Sequence, residues 1–332
     1  MFDNNDNKLR RREFLSRVGK AGVSIAAAGV AAGLLYDRKG PGRSAADQDL
    51  VTLPDYSVPT EAGKTISIVT GSDRVQTIDK AIDLLGGIER FVKAGETVVI
   101  KPNVAFASPP FWGATARPEL VTEVVRLCYN RGSAKKVYVT DNPINDPASC
   151  FALSGVGKAA TQAGAEVIMP KDSLFRHTTL AGGKLIVNWE VFFGPFLGIN
   201  KLIGISPVKN HHRANASMTM KNWYGLLGGR RNIFHQNINT IIAELATMVK
   251  PTLVILDGTE TMATNGPTGG SISDLKRTDT MIASCDMVAA DSFGCSLLGL
   301  TVSDLPYLSM AEKAGAGATN YEKLKPNRAA IS

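Results

Sequence analysis

From residue 65 onward, short β-branched runs alternate with amphipathic stretches. TISIVT (65–70), TVVIKPN (97–103), KKVYVTDNP (135–143), AEVIMP (165–170), KLIVNW (184–189), KLIGISPVKN (201–210) and PTLVILDGTE (251–260) read as strands. Runs rich in Val, Ile and Leu and bounded by Gly, Pro or Asx suit buried extended segments. RPELVTEVVRLCYNRG (117–132) reads as a helix: Pro118 suits the first turn, Leu120, Val124, Leu127 and Cys128 share a face, and Gly132 closes it. Further helices are expected over 154–164, around Ile238–Val249 and through Ala289–Leu298, the last fed by TDTMIASCD (278–286).

This alternation predicts an α/β fold: a largely parallel or mixed sheet with helices on both faces, and a split or inserted smaller lobe around 170–250. Ligands of open α/β sheets bind beyond the carboxyl ends of the strands. Several strands here end in polar residues: Lys101 and Asn103; Asp141 and Asn142; Lys209, Asn210 and His211; Asp257 and Glu260. One Asx at a strand end is usually a turn-former. Four such clusters on one edge of a parallel sheet point to a binding cleft.

Composition narrows this picture. The 332 residues are 44% hydrophobic and 20% charged, a globular balance. The net charge of +7 is concentrated at one end: residues 1–46 hold nine Lys/Arg against four Asp/Glu, and the remainder 28 against 26. The body therefore lacks the basic footprint of a nucleic-acid binder. Arg11, Arg12, Phe14 and Leu15 precede a mild Ala/Gly/Val stretch from Ala21 to Leu35. That arrangement resembles a twin-arginine export signal, with the translocase as partner. The stretch is short of the ~20 apolar residues that span a bilayer comfortably. Export to the periplasm or another extracytoplasmic space is expected, with a membrane tether if the segment stays uncut. The expected division is a signal over 1–46, a linker over 47–64, rich in Pro and small or polar residues, and one α/β domain over 65–325.

The chain has four cysteines, Cys128, Cys150, Cys285 and Cys295, and no CxxC. Buried free thiols fit better than an iron–sulfur cluster or a structural zinc. GVGKAA (155–160) imitates a dinucleotide fingerprint without a strand running into it. Walker A, HExxH and GxSxG are absent from the sequence.

The richest stretch is KNHHRANASMTMKNWYGLLGG (209–229), which holds two of the chain's four histidines. Lys209, His211 and Lys221 would repel one another unless an anion or a metal lay between them. Lysine suits phosphate or carboxylate; histidine ligates metal or moves protons near neutral pH. His235 lies a short way on, whereas His177 looks isolated. A second candidate is DGTETMATNGPTGG (257–270), whose glycine-rich loop can turn backbone amides toward an anion.

Together VVIKPNVAF, ARPELVTEVVRLCYNRGSAKKVYVTDNP, VKNHHRANASMTMKNWYGLLGG, LVILDGTETMATNGPTGG and MIASCDMVAADSFGCSLLGL resemble the DUF362 family, in matching order, over about residues 65–320. The resemblance marks Lys101, Asn103, Asp141, Lys209, His211, Lys221, Asn222, His235, Asp257, Asn265, Gly266 and Gly270 as motif positions. Asp286 and Asp291 match a C-terminal motif as helix caps or structural partners. Some members carry a ferredoxin-like insert with clustered cysteines, which this chain lacks. The family implies motif positions and no reaction.

The combined expectation is a cleft for an anionic small molecule, a divalent metal or a cofactor. His211, Lys221 and Lys209 would be catalytic. Lys101, Asn103, Asn210, Asn222, Asn265, Gly266 and Gly270 would bind the ligand, and His211, His235, Asp141 and Asp257 would hold a metal. The alternatives are a non-catalytic binding or delivery protein and a structural partner of a membrane complex.

Overall fold

The computed structural model describes residues 51–331. Arg11, Arg12, Phe14 and Leu15, and with them the expected export signal, lie outside the described residues. Within them, no helix is long and apolar enough to cross a membrane.

Among the described residues eleven strands are found: β1 (Ile66–Thr70), β2 (Thr97–Pro102), β3 (Lys136–Thr140), β4 (Glu166–Ile168), β5 (Phe175–Thr178), β6 (Trp189–Phe192), β7 (Lys201–His211), β8 (Asn215–Ser217), β9 (Leu253–Met262), β10 (Leu275–Ser284) and β11 (Asn327–Ala330). Nine of them form one sheet, ordered β11-β1-β10-β9-β7-β2-β3-β4 with β8 paired to β7. The run β4-β3-β2-β7-β9 is parallel throughout. β10 runs against both β9 and β1. β5 and β6 make a separate antiparallel pair, and Val191 and Phe192 of β6 are buried in the core shared with the large sheet.

Central strands of such a sheet are buried on both faces and read as continuous apolar runs. Val98, Val99 and Ile100 of β2 have no exposed surface, and each face of the sheet carries its own hydrophobic cluster. The helix Pro118–Asn130 has Pro at its first position and buries Leu120, Val121, Val124, Val125, Leu127 and Cys128 against one of them. The helix Met287–Leu297 is capped by Asp286, which accepts from Ala289 N.

Three local expectations differ from the structure. The KLIVNW run is extended only from Trp189. Upstream, the buried Glu244 carboxylate accepts from the amides of Lys184, Leu185 and Ile186 at 2.6–3.1 Å, so one side chain replaces a neighbouring strand. Tyr56, in the segment read as linker, is buried in the core. The helix Arg74–Leu84, capped by Asp73, was not anticipated.

Candidate functional site

β2, β3 and β7 point the same way, so their carboxyl ends meet, and the turn Thr219–Asn222 packs against β7 beside them. A cavity of about 320 Å³ lies at this edge. Asn103, Phe106, Asp141, Asn142, Ile144, Lys209, His211, Lys221, Asn222, Tyr224, Arg231, His235 and the Gly266–Thr268 loop contribute to its lining.

Its floor is a closed polar network. Lys101, with no exposed surface, pairs with Asp141 at 2.7 Å. Asp141 Oδ2 accepts from Val104 N and its Oδ1 from Asn142 N. Asn222 Oδ1 accepts from Lys101 Nζ and Asn103 Nδ2, and Asn222 Nδ2 donates to the carbonyls of Lys101 and Ile205. Glycine is required above this pair: a Cβ at Gly225 would fall 2.5 Å from Asp141 Oδ1 and 3.0 Å from Lys101 Nζ.

The walls carry cations of a different kind. Lys209 is buried, and its ammonium donates to Ala114 O at 2.6 Å and Asn103 Oδ1 at 3.2 Å, both neutral acceptors. Lys221 lies 5.1 Å from the centroid of the Tyr224 ring. Arg231 is buried and donates to the carbonyls of Asn142, Pro143 and Leu227. Asp141 is the one carboxylate among the described lining residues, and it is engaged by Lys101. Burial, reinforced by Lys221, lowers Lys209 to about 7. Burial and then Arg231 lower Lys221 to about 8. Desolvation and like charge both disfavour the charged form, and for Lys209 the Asp141 carboxylate offsets them only in part.

The histidines divide by their hydrogen bonds. His211 Nδ1 accepts from the amides of Arg213 and Ala214, both at 3.2 Å. Its proton must therefore sit on Nε2. Burial, then Lys221, pushes His211 down to about 2, so it is a neutral donor at physiological pH. His235 has the opposite tautomer. Its Nδ1 contacts Asn232 O and the Tyr224 hydroxyl, whose own proton goes to Arg231 O. Nδ1 is the donor, and Nε2 carries the lone pair. The rings of His211 and His235 lie nearly parallel, 6.2 Å apart.

This geometry revises several expected roles. A metal on His211 Nε2 would force its proton onto Nδ1, against two amide N–H groups. Protonating the ring as a general acid meets the same obstacle. Among the described residues no group of three or more His, Cys, Asp or Glu is arranged to hold a metal. Asp257, expected as a ligand, pairs with Arg74 at 2.8 Å and does not line the cavity. Asn210 is absent from the lining because residues 209 and 211 share one side of β7 and 210 takes the other. Asn265 turns away, donating to Asp274 Oδ1 at 2.6 Å, and Gly270 contributes no lining. Gly266 does line the cavity, and a Cβ there would collide with Asn210 O. Lys101 lies beneath the floor. Asn103 and Asn222 line the cavity but are committed to the floor network.

Arg231 and Tyr224 were missed by sequence reasoning. Arg231 sits in the GGRRNIF run that follows the motif, where a buried arginine reads like a surface one, and Tyr224 lies within the motif itself, in KNWYGLLGG. Asp291, expected as a structural partner, accepts from Thr219 N and Oγ1 and from Met220 N, fixing the turn that carries Lys221. All four cysteines are free thiols, and Cys128, Cys150 and Cys295 are buried.

The family described as "Domain of unknown function (DUF362)" matches residues 98–296, more than half of the chain. The chain belongs to the DUF362 family. The matched span of this DUF362 chain holds β2, β3, β7 and the turn bearing Lys221, and so every cation of the cavity. A thylakoid-associated protein of Synechocystis sp. is 26% identical over 262 residues, covering 74% of this chain and 76% of that protein. The lactate racemase apoprotein from Thermoanaerobacterium thermosaccharolyticum is similar at 13% identity with a TM-score of 0.41; the overlap covers 77% of this chain and 60% of that one. A protein from Thermotoga maritima is similar at 11% identity with a TM-score of 0.33, over 55% of this chain and 50% of that one.

Proposed function

We propose that this DUF362 protein binds a small organic anion, a carboxylate or phosphate compound, in the cavity at the carboxyl edge of its sheet. The carrying observation is the imbalance of charge there: Lys209, Lys221 and Arg231 share the cavity, and its one carboxylate is engaged by Lys101. Buried cations are stable when an opposite charge sits beside them, and a ligand anion supplies it. Phe106, Ile144 and Tyr224 add apolar wall, which favours a ligand with a carbon skeleton over a bare inorganic ion. The neutral His211 Nε2–H is a fixed donor for a ligand oxygen, and His235 Nε2 is an acceptor suited to moving a proton.

On this reading the chain works outside the cytoplasm, exported by the twin-arginine translocase through Arg11 and Arg12. That route suits a protein that folds around its ligand before transport.

Titration calorimetry against a panel of monocarboxylates, phosphate monoesters and matched neutral amides tests the binding reading. Anions should bind with an affinity that falls as salt rises, and the amides should not bind. Equal binding of amides and acids would refute it.

A further inference from the structure

We propose that Lys209 is a nucleophilic amine that forms an imine with the carbonyl carbon of an anionic oxo compound, an oxo acid or a phosphorylated aldehyde, bound in this cavity. The inference deepens the anion-binding reading and rests on it.

Two observations set Lys209 apart from the other lysines of the site. It is 1% exposed yet forms part of the cavity wall. Its Nζ donates to two fixed neutral acceptors, Ala114 O and Asn103 Oδ1, and lies 5.4 Å from the centroid of the cavity-lining Phe106 ring, so in the neutral amine both protons are placed and the lone pair carries no hydrogen bond. Lys101, on the adjacent strand β2, differs on both counts: it is absent from the lining and bound to Asp141 at 2.7 Å. Lys221 differs in a third way. It has no hydrogen-bond or carboxylate partner among the described residues and rests against Tyr224, where a ligand's acid group, shared with Arg231, would hold it in the charged form.

The groups that set the charge state of Lys209 come from the surrounding elements: Lys101 from β2, Asp141 from the residue that follows β3, and Lys221 from the turn at 219–222. Burial and the two lysines favour the neutral amine, and Asp141 opposes them. A desolvated lysine beside another cation is a recognised way to obtain a nucleophile near neutral pH.

The step balances without a further reagent. The Nζ lone pair adds to the carbonyl carbon to give a carbinolamine. The two Nζ protons pass to the oxygen, the C–O bond breaks, one water leaves, and the C=N bond of the imine remains. Nothing is oxidised or reduced.

The full-length protein is incubated separately with pyruvate and with glyoxylate, reduced with sodium borohydride, and its adducts located by peptide mass mapping. Binding of each probe is measured in parallel by calorimetry without borohydride. The expected result is one reduced adduct per chain on Lys209, with a yield that falls several-fold as pH drops from 8 to 6. Lys209→Met should lose the adduct. If that variant does not fold, the map of the unaltered protein still decides. An adduct on Lys221, adducts spread over surface lysines, or none with either probe would overturn the proposal. Binding without an adduct overturns the imine alone and leaves anion binding standing; absence of binding overturns both.

Discussion

Two charged clusters sit on the same edge of this sheet, and they are built on opposite plans. In one, Arg74 bonds Asp257 at 2.8 Å and Glu260 at 2.9 Å, Arg117 also bonds Glu260, and Glu119 lies 3.3 Å from Arg74. Two guanidinium groups meet three carboxylates, so nothing positive is left to satisfy. In the other, Lys209, Lys221 and Arg231 meet carbonyls, an amide oxygen and an aromatic face, with the nearby Asp141 held by Lys101. The first cluster is complete without a ligand and belongs to the architecture. The second, on the proposed reading, is completed by a bound anion. Charged residues at strand ends are thus not equivalent, and what distinguishes them is whether the chain supplies its own counter-charge.

The largest effect that would break this comparison is on folding. Asp257→Asn leaves Arg74 without its buried partner and should destabilise the protein by about 3 kcal/mol, read by urea unfolding, with no change in anion affinity. Lys209→Met removes a buried charge and should shift stability by only about 1 kcal/mol in either direction, while abolishing ligand binding. The reverse pattern would show that the two clusters have been assigned the wrong way round.

Next in size is Gly225→Ala, which drives a methyl group into the Lys101–Asp141 pair. It should cost about 1–3 kcal/mol in the same unfolding experiment. Lys221→Met should then weaken anion binding about 10- to 100-fold, the worth of one charge-assisted contact, without lowering the unfolding midpoint, since burial already disfavours the charged lysine.

A smaller effect is expected in the pH dependence of stability. Lys209 and Lys221 titrate near 7 and near 8 when folded, against 10.5 ordinarily. Below pH 7 both states are protonated and the two lysines contribute no slope. Above it the unfolded chain holds protons that the folded chain has lost, so stability rises with pH. From pH 9 the thiols oppose the trend, since desolvation raises Cys128 to about 12 and Cys150, Cys285 and Cys295 to about 11. Thermal unfolding without ligand should therefore show stability climbing between pH 7 and 9. The climb should flatten in the Lys209→Met, Lys221→Met double variant. The smallest effect is that of Asn210→Ala, which should leave stability within about 0.5 kcal/mol and anion affinity unaltered.

Much of this was legible in the sequence because it rests on periodicity. The apolar runs of β2, β7 and β9 announce buried strands, and parallel strands must deliver Lys101, Asp141 and Lys209 to one edge. The period of two could also have excluded Asn210, flanked by two residues of the opposite side. Other features depend on contacts that no local pattern encodes. Asp257 looks like a ligand until Arg74, 183 positions away in the chain, is seen to neutralise it. Arg231 looks like a surface residue until three backbone carbonyls are found around it. His211 looks like an acid, base or metal ligand until two amide donors from its own hairpin fix its tautomer. The stretch Lys184–Asn188 reads as a strand because its residue types suit one, whereas Glu244 satisfies its amides.

Buried cations that lack an anion are measured most directly by proton uptake. Propane-1-sulfonate carries a carbon skeleton, has no carbonyl and does not titrate at pH 8, so it isolates the charge effect from any imine. Calorimetric titration of propane-1-sulfonate at pH 8 in two buffers of different ionisation enthalpy should give different heats, corresponding to net uptake of protons as Lys209 and Lys221, near 7 and near 8 without ligand, become charged around the bound anion. Equal heats in the two buffers, or no binding at all, would contradict it.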